Sequence, residues 1–355
     1  VADDIKFKLH RLSDYIKIPS TEFLVEPYLP LGGQIVLAAK PKTYKTYVAL
    51  SWACCVATGS GWLGHTVRKG KVLYVALESY HGVLRRKEAW RKHHGKSKAD
   101  LDNLVCITVP INFTQQDSIK EALTDLATQN FRPDFIVIDT WFKSTAGANV
   151  SDQAEMTKAI YHLTDFQKTL EAVNEFEDSL PQVTILILAH TDKKGADLFG
   201  SVAQFANCDV LYKLVRPEAS NLTVTMECIG ARDIEEPSPF TMVLEKVVIE
   251  TGKGAEKNLA VTGVIDALQE ALLRNISDIK NPHQHKQDRD IDDLVATLVQ
   301  DFGGGATSTD LQKRMKAKYP KGGWSKRSFT RKLNEAVERG KLIGGGGKGE
   351  FYQVV

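Results

Sequence analysis

No stretch of this 355-residue chain approaches the roughly 20 consecutive apolar residues a membrane-spanning helix needs, so a helical membrane protein is not expected. The opening residues, VADDIKFKLH, lack the apolar stretch of a secretion signal, and a cytoplasmic location without a membrane partner is expected. Cysteine is scarce. Its five residues, Cys54, Cys55, Cys106, Cys208 and Cys228, form no C-x-x-C pair and no regular framework, which argues against structural zinc and for reduced, buried thiols. Net charge is also low at +2, but it is unevenly spread: residues 303–355 hold 12 Lys and Arg against 4 Asp and Glu, a surplus of +8 that leaves −6 for the rest. A basic end on an acidic body points to a nucleic-acid partner. A last scarcity is local. The stretch LAAKPKTYKTYVAL, residues 37–50, follows the phosphate-loop frame G-x-x-x-x-G-K-[ST], except that Ala39 and Tyr44 stand where the glycines belong.

Against these absences stands a regular alternation. QIVLAA, KVLYVALE, LVCITVP, DFIVIDT and VTILILAH are near-continuous apolar runs, the pattern of strands buried on both faces of a parallel sheet. Between them TYVALSWACCVA, GVLRRKEAWRKHH, SIKEALTDLATQ and QAEMTKAIYHLTDFQKTLEAVNEF carry helical spacing, which predicts an α/β doubly wound domain. Three further β-rich runs, CDVLYKLVR, NLTVTMECIG and FTMVLEKVVIE, are expected to extend the sheet antiparallel at one edge. A helix is expected from about Val261 to Arg274, then a polar linker over 275–289. The resulting division is a core over 1–250, a helix and linker over 251–289, and a small basic domain over 290–355. In that last segment, three helical patterns and a glycine turn leading into a strand predict a winged helix-turn-helix, with Ser325 as an N-cap and the third helix able to enter a major groove.

A phosphate loop needs a strand feeding a tight turn, whose N–H groups converge on phosphate at the start of a helix. Here Pro41, Lys42, Thr43 and Tyr44 would form the turn. Lys45 would neutralise the β and γ phosphates of ATP, and Thr46 would hold Mg2+ through its hydroxyl. The same string also reads as a plain basic turn, because glycine normally supplies positive φ there and tyrosine tolerates it poorly. Context favours the site. Glu78 and Asp139 each end a strand, so both carboxylates reach the edge where α/β sheets bind ligands. Asp139 is placed for the Mg2+ shell, and Glu78 for orienting or deprotonating the attacking water. His190 ends another strand. It reads either as a structural histidine or as a switch that reports the γ-phosphate.

Together, IVLAAKPKTYKTYVALSWACCVATGSGWLG, GKVLYVALES, FIVIDTWFKS, ILILAHTDKKG, FGSVAQFANCDVLYKL and ARDIEEPSPFTMVL resemble the RecA-like ATPase family of the plasmid replication helicase RepA, over roughly residues 20–250. The resemblance implies a RecA-like P-loop core related to hexameric DnaB-type helicases, with ATP between subunits and single-stranded DNA in a central channel. It implies Lys45 and Thr46 as phosphate and Mg2+ ligands, a catalytic Glu78 on the strand neighbouring the Asp139 strand, and His190 as sensor. Arg232 is implied as an arginine finger supplied to an adjacent protomer, and reads equally as a surface salt-bridge partner. Lys143, Lys193 and Lys194 lie in the two loops that would face a ring's centre; the tail helix with Lys326, Arg327, Arg331 and Lys332 also reads as an oligomerisation surface, but its charge surplus favours contact with duplex phosphates. The chain departs from its relatives in those inner loops, reading STAGANVSDQ and LFGSVA where they carry acidic and arginine-bearing segments. The expected function is an ATP-dependent DNA helicase of a mobile element. A DNA-binding ATPase without unwinding activity and a pseudo-ATPase adaptor remain as alternatives.

Overall fold

The protein's computed structural model describes residues 20–174, 182–191, 208–216, 222–252, 254–265, 294–302, 304–318, 326–338, 341–344 and 351–354. The chain divides into two compact units, residues 1–266 and 267–355.

In the first unit, β1 (Phe23–Val25) and β2 (Leu29–Pro30) form a small antiparallel pair ahead of the main sheet. The continuous apolar runs become β3 (Gln34–Ala39), β4 (Val72–Ala76), β5 (Leu104–Ile107), β6 (Phe135–Asp139) and β7 (Thr184–His190). They join β8 (Val210–Val215), β9 (Thr223–Ala231), β10 (Phe240–Thr251) and β11 (Gly254–Ile265) in one sheet of order β11-β10-β9-β8-β3-β7-β6-β4-β5. From β8 to β5 the strands are parallel, and β9, β10 and β11 add an antiparallel edge.

The strands lack alternation because both faces are covered. Ile35 and Leu37 point into one apolar cluster, with the helices α1 (Lys45–Thr58) and α2 (Tyr80–His93). Val36 and Ala38 point into the other, with α3 (Gln116–Thr128) and the long helix α5 (Gln153–Asn174). The short helix α4 (Trp141–Ser144) follows β6 directly. Helix α1 is apolar nearly all round because it lies between the sheet and an outer cover of α2 and β11. It stops at Gly59, which takes φ 71° at the C-cap.

Two expectations need correction. β8, grouped with the antiparallel edge, runs parallel to β3, with Val36 opposite Leu211. The helix expected from Val261 is strand β11 as far as Ile265, paired with β10 along its whole length from Thr241↔Ile265 to Thr251↔Gly254. Its β-branched residues Val261, Thr262, Val264 and Ile265 suit that pleated pairing, and Ala260 and Val261 are buried by it. Residues 266–274 of the expected helix lie outside the described residues.

The second unit contains a helix over 294–302, β12 (Gly305–Thr307), the helices Ser308–Lys318 and Lys326–Glu338, then β13 (Leu342–Gly344) and β14 (Phe351–Val354). The strands form an antiparallel sheet of order β12-β14-β13. Leu294, Leu298, Leu311, Met315, Phe329, Leu333 and Tyr352 make its own core. Ser325, expected as an N-cap, lies outside the described residues. No helix among the described residues is long and apolar enough to cross a membrane. All five cysteines are free thiols, and Cys54, Cys55 and Cys208 are buried.

Candidate functional site

Register gathers the expected residues at one sheet edge. Ala39 pairs with His190, and Asp139 sits between Ala76 and Leu188, so β3, β4, β6 and β7 all end together. The chain therefore delivers the turn after β3, Glu78 just past β4, Asp139 at the end of β6 and His190 at the end of β7 to the carboxyl edge. Because β7 lies between β3 and β6, His190 stands between the Lys45 loop and Asp139.

The loop itself adopts positive φ twice, at Lys42 (64°) and Tyr44 (61°). For a residue with a Cβ, that conformation costs about 1–2 kcal/mol. Tyr44 is the N-cap of α1, yet its side chain makes no capping hydrogen bond and the first turn has no acidic residue. N–H groups at such a helix start, after left-handed loop residues, are suited to meeting an anion. Compensating contacts hold Tyr44 in place. Its ring meets Tyr47 edge-on at 5.9 Å, and the Arg216 guanidinium lies 4.4 Å above the ring centre. Such contacts contribute about 0.5–1.5 and about 0.5–2 kcal/mol, which is the size of the strain. Arg216 Nη1 also donates to the carbonyl of Lys42 at 3.3 Å.

Lys45 is buried, with 7% of its surface exposed. Its Nζ donates to the carbonyl of Ala189 at 2.6 Å and lies 3.3 Å from His190 Nδ1. Burial lowers its pKa to about 8, against the opposing pull of the Asp139 and Glu78 charges. An ammonium donating to Nδ1 leaves the imidazole proton on Nε2, which faces Glu78 Oε1 at 3.4 Å. Glu78 Oε1 also accepts from the Thr140 hydroxyl at 3.3 Å. The hydrogen bond from His190 is the main reason the Glu78 carboxyl is held below its usual range, so it is ionised at neutral pH. A line Lys45–His190–Glu78 therefore runs from the loop to the carboxylate.

Asp139 is buried, and burial pushes its pKa up. Tyr74 opposes that shift by donating to Oδ2 at 2.8 Å, and the Thr46 hydroxyl opposes it too. Oδ1 is buried without a hydrogen-bond partner among the described residues. A buried carboxylate oxygen with spare lone pairs, next to a hydroxyl at a helix start, fits a hard divalent cation such as Mg2+.

Other expected residues fall elsewhere. Arg232 lies at the opposite edge of the sheet: its N–H donates to Asp209, whose own N–H donates to Gln34, the first residue of β3. The six residues of β3 span about 20 Å, so Arg232 is not brought to the Lys45 loop of its own chain. Lys143 is exposed on α4, whereas Lys193 and Lys194 lie outside the described residues. In the second unit Arg331 is exposed, and the side chains of Lys326 and Arg327 lie outside the description. Lys332, expected to meet DNA phosphates, is buried, with 4% of its surface exposed. It shares a helical stripe with Phe329, Leu333 and Ala336, all of them buried. Arg216, Tyr74 and Thr140 were not singled out from the sequence. The adjacency of β8 and β3 brings Arg216 in, the pairing of β4 with β6 brings Tyr74 to Asp139 from the middle of β4, and Thr140 directly follows β6.

Residues 8–196, more than half of the chain, match a family model described as an AAA domain. No curated protein matches the chain.

Proposed function

The chain belongs to this AAA domain family and is a P-loop ATPase, and from that premise we propose that it is an ATP- and Mg2+-dependent DNA motor, a replicative-type helicase of a plasmid, phage or other mobile element. The observation that carries the reading is the line Lys45–His190–Glu78 beside Asp139, which joins a phosphate-binding lysine to an ionised carboxylate. ATP would lie on the N–H groups of Pro41–Thr46 that have them, with Lys45 on its phosphates. Thr46 and Asp139 would hold Mg2+, which supplies charge neutralisation of the phosphate oxygens when bound.

Glu78 orients a water and accepts its proton as the water attacks the γ-phosphorus and the bond to the β–γ bridging oxygen breaks, leaving ADP and inorganic phosphate. Lys45 moves from the Ala189 carbonyl and His190 to the phosphates. His190 is thereby released on its Nδ1 side, and the segment after β7, with Lys193 and Lys194, receives the signal. Arg232 reaches the ATP of a neighbouring protomer in a ring, possible only in an oligomer because its own loop is a strand length away. A hexamer with single-stranded DNA inside, contacted by Lys143, Lys193 and Lys194, is the proposed assembly. The helix–strand order of the second unit and its basic surplus support a winged helix that meets duplex DNA.

The test pairs ATP turnover, with and without single-stranded DNA, with strand displacement on forked duplexes of both polarities. DNA-stimulated turnover that is lost in Lys45→Ala, together with unwinding, is expected. Turnover without unwinding on either fork overturns the helicase reading in favour of a DNA-binding ATPase that does not unwind.

A further inference from the structure

We propose that Arg216 is a positioning residue of the phosphate loop: it latches Tyr44 into the left-handed conformation that a glycine would adopt unaided. This inference rests on the reading of residues 41–46 as the nucleotide loop. Three observations carry it. Tyr44 precedes Lys45 and takes φ 61°, ψ 14°, with no side-chain cap to hold it. The Arg216 guanidinium covers the ring of that same residue at 4.4 Å. The same guanidinium donates to the carbonyl of Lys42, the other loop residue at positive φ. One side chain thus grips both left-handed positions of the loop.

Its placement explains why it can. Arg216 immediately follows β8, and β8 is the parallel neighbour of β3, so the two chain ends emerge side by side with Ala39 opposite Leu214. Tyr47 completes the arrangement from the first turn of α1: its ring meets Tyr44 on one side, Arg86 lies 4.9 Å over it, and its hydroxyl donates to Asn258 of β11 at 3.2 Å. The aromatic pair is therefore anchored at both ends by arginines from separate elements. A tyrosine in the loop is tolerated because this stack fixes its ring, and the fixed ring fixes the backbone N–H that must face phosphate.

The latch predicts energetic coupling between Arg216 and Tyr44, which a purely structural arginine or a direct ligand of the nucleotide would not show. Four proteins are compared: wild type, Arg216→Ala, Tyr44→Gly and the double variant, with Arg216→Lys as the conservative rescue. Amide exchange of the peptide spanning 41–46 is measured without nucleotide, and MgADP affinity by titration. With Tyr44 present, Arg216→Ala is expected to accelerate loop exchange and weaken MgADP about tenfold. In the Tyr44→Gly background, the same change is expected to alter both by less than about twofold, because glycine needs no latch. Arg216→Lys, which keeps a cation over the ring, is expected to retain most of the affinity. Equal effects of Arg216→Ala in both backgrounds overturn the latch. Coupled exchange in a protein that binds no MgADP keeps the latch and overturns the nucleotide reading instead, so the two failures are distinguishable.

Discussion

Lys45 Nζ and His190 Nδ1 stand 3.3 Å apart across the ends of adjacent parallel strands. The lysine is therefore not an idle cation waiting in solvent. Its ammonium is committed to the Ala189 carbonyl and the imidazole, and any phosphate bound at the loop would compete with them for it.

This burial sets a pH dependence. Without nucleotide, Lys45 titrates at about 8 because burial disfavours its charge. A bound polyphosphate favours the charged form and raises that pKa, so binding above pH 8 takes up a proton. Affinity should be flat below pH 8 and fall by up to about tenfold per pH unit above it. Titration calorimetry at pH 9 in buffers of different ionisation enthalpy should register proton uptake, and at pH 7 almost none.

Breaking the relay should separate binding from turnover. His190→Ala removes the hydrogen bond that holds Glu78, a contact that persists when Lys45 turns to the phosphates, but leaves the loop, Thr46 and Asp139 intact. MgADP affinity is expected to stay within about threefold while kcat drops by about tenfold or more. Steady-state kinetics with a parallel binding titration would check this, and a matching loss in both would contradict a relay.

Tyr74 tunes Asp139. Its hydroxyl donates to Oδ2 and opposes the upward push of burial on the carboxyl pKa. Tyr74→Phe removes that support, so the pKa rises further and the carboxylate is protonated at higher pH. The acid limb of Mg2+-dependent ATPase activity should move to higher pH, and stability near neutral pH should fall by about 1.5–3 kcal/mol. A pH–rate profile and urea unfolding measure the two effects.

In the second unit, neighbouring cations should behave differently. Arg331 is exposed and Lys332 is 4% exposed. Arg331→Ala should weaken duplex DNA binding and lower the salt slope by about one, with unfolding unchanged. Lys332→Ala should act first on thermal unfolding of the unit. Fluorescence anisotropy over a salt series and melting curves would separate them.

Much of this arrangement is legible in the sequence for a physical reason. A strand buried on both faces must be apolar at every position, and β3, β4, β6 and β7 are largely so, which is why their ends and the residues placed there could be read directly. Strand β11 was harder. Its burial is irregular, because only Ala260 and Val261 lie fully beneath neighbours, and its apolar spacing near Val261 imitates a helix. At Lys332 two signals conflict: the spacing 329, 332, 333, 336 marks a buried stripe, whereas its charge points to the surface. Arg216 could not be found without strand order, since only the adjacency of β8 and β3 carries it to Tyr44. Tyr44 itself broke a sound steric rule, and the rings and arginines around it supply the reason.

The most direct test of the central claim, that this loop and its carboxylates form a working ATP site, is single-turnover hydrolysis of ATP by wild type and Glu78→Gln. Glu78→Gln is expected to bind MgATP about as tightly as wild type but to hydrolyse it at least about a hundredfold more slowly. Unchanged hydrolysis in Glu78→Gln, or a wild-type protein that binds no MgATP, would contradict that claim.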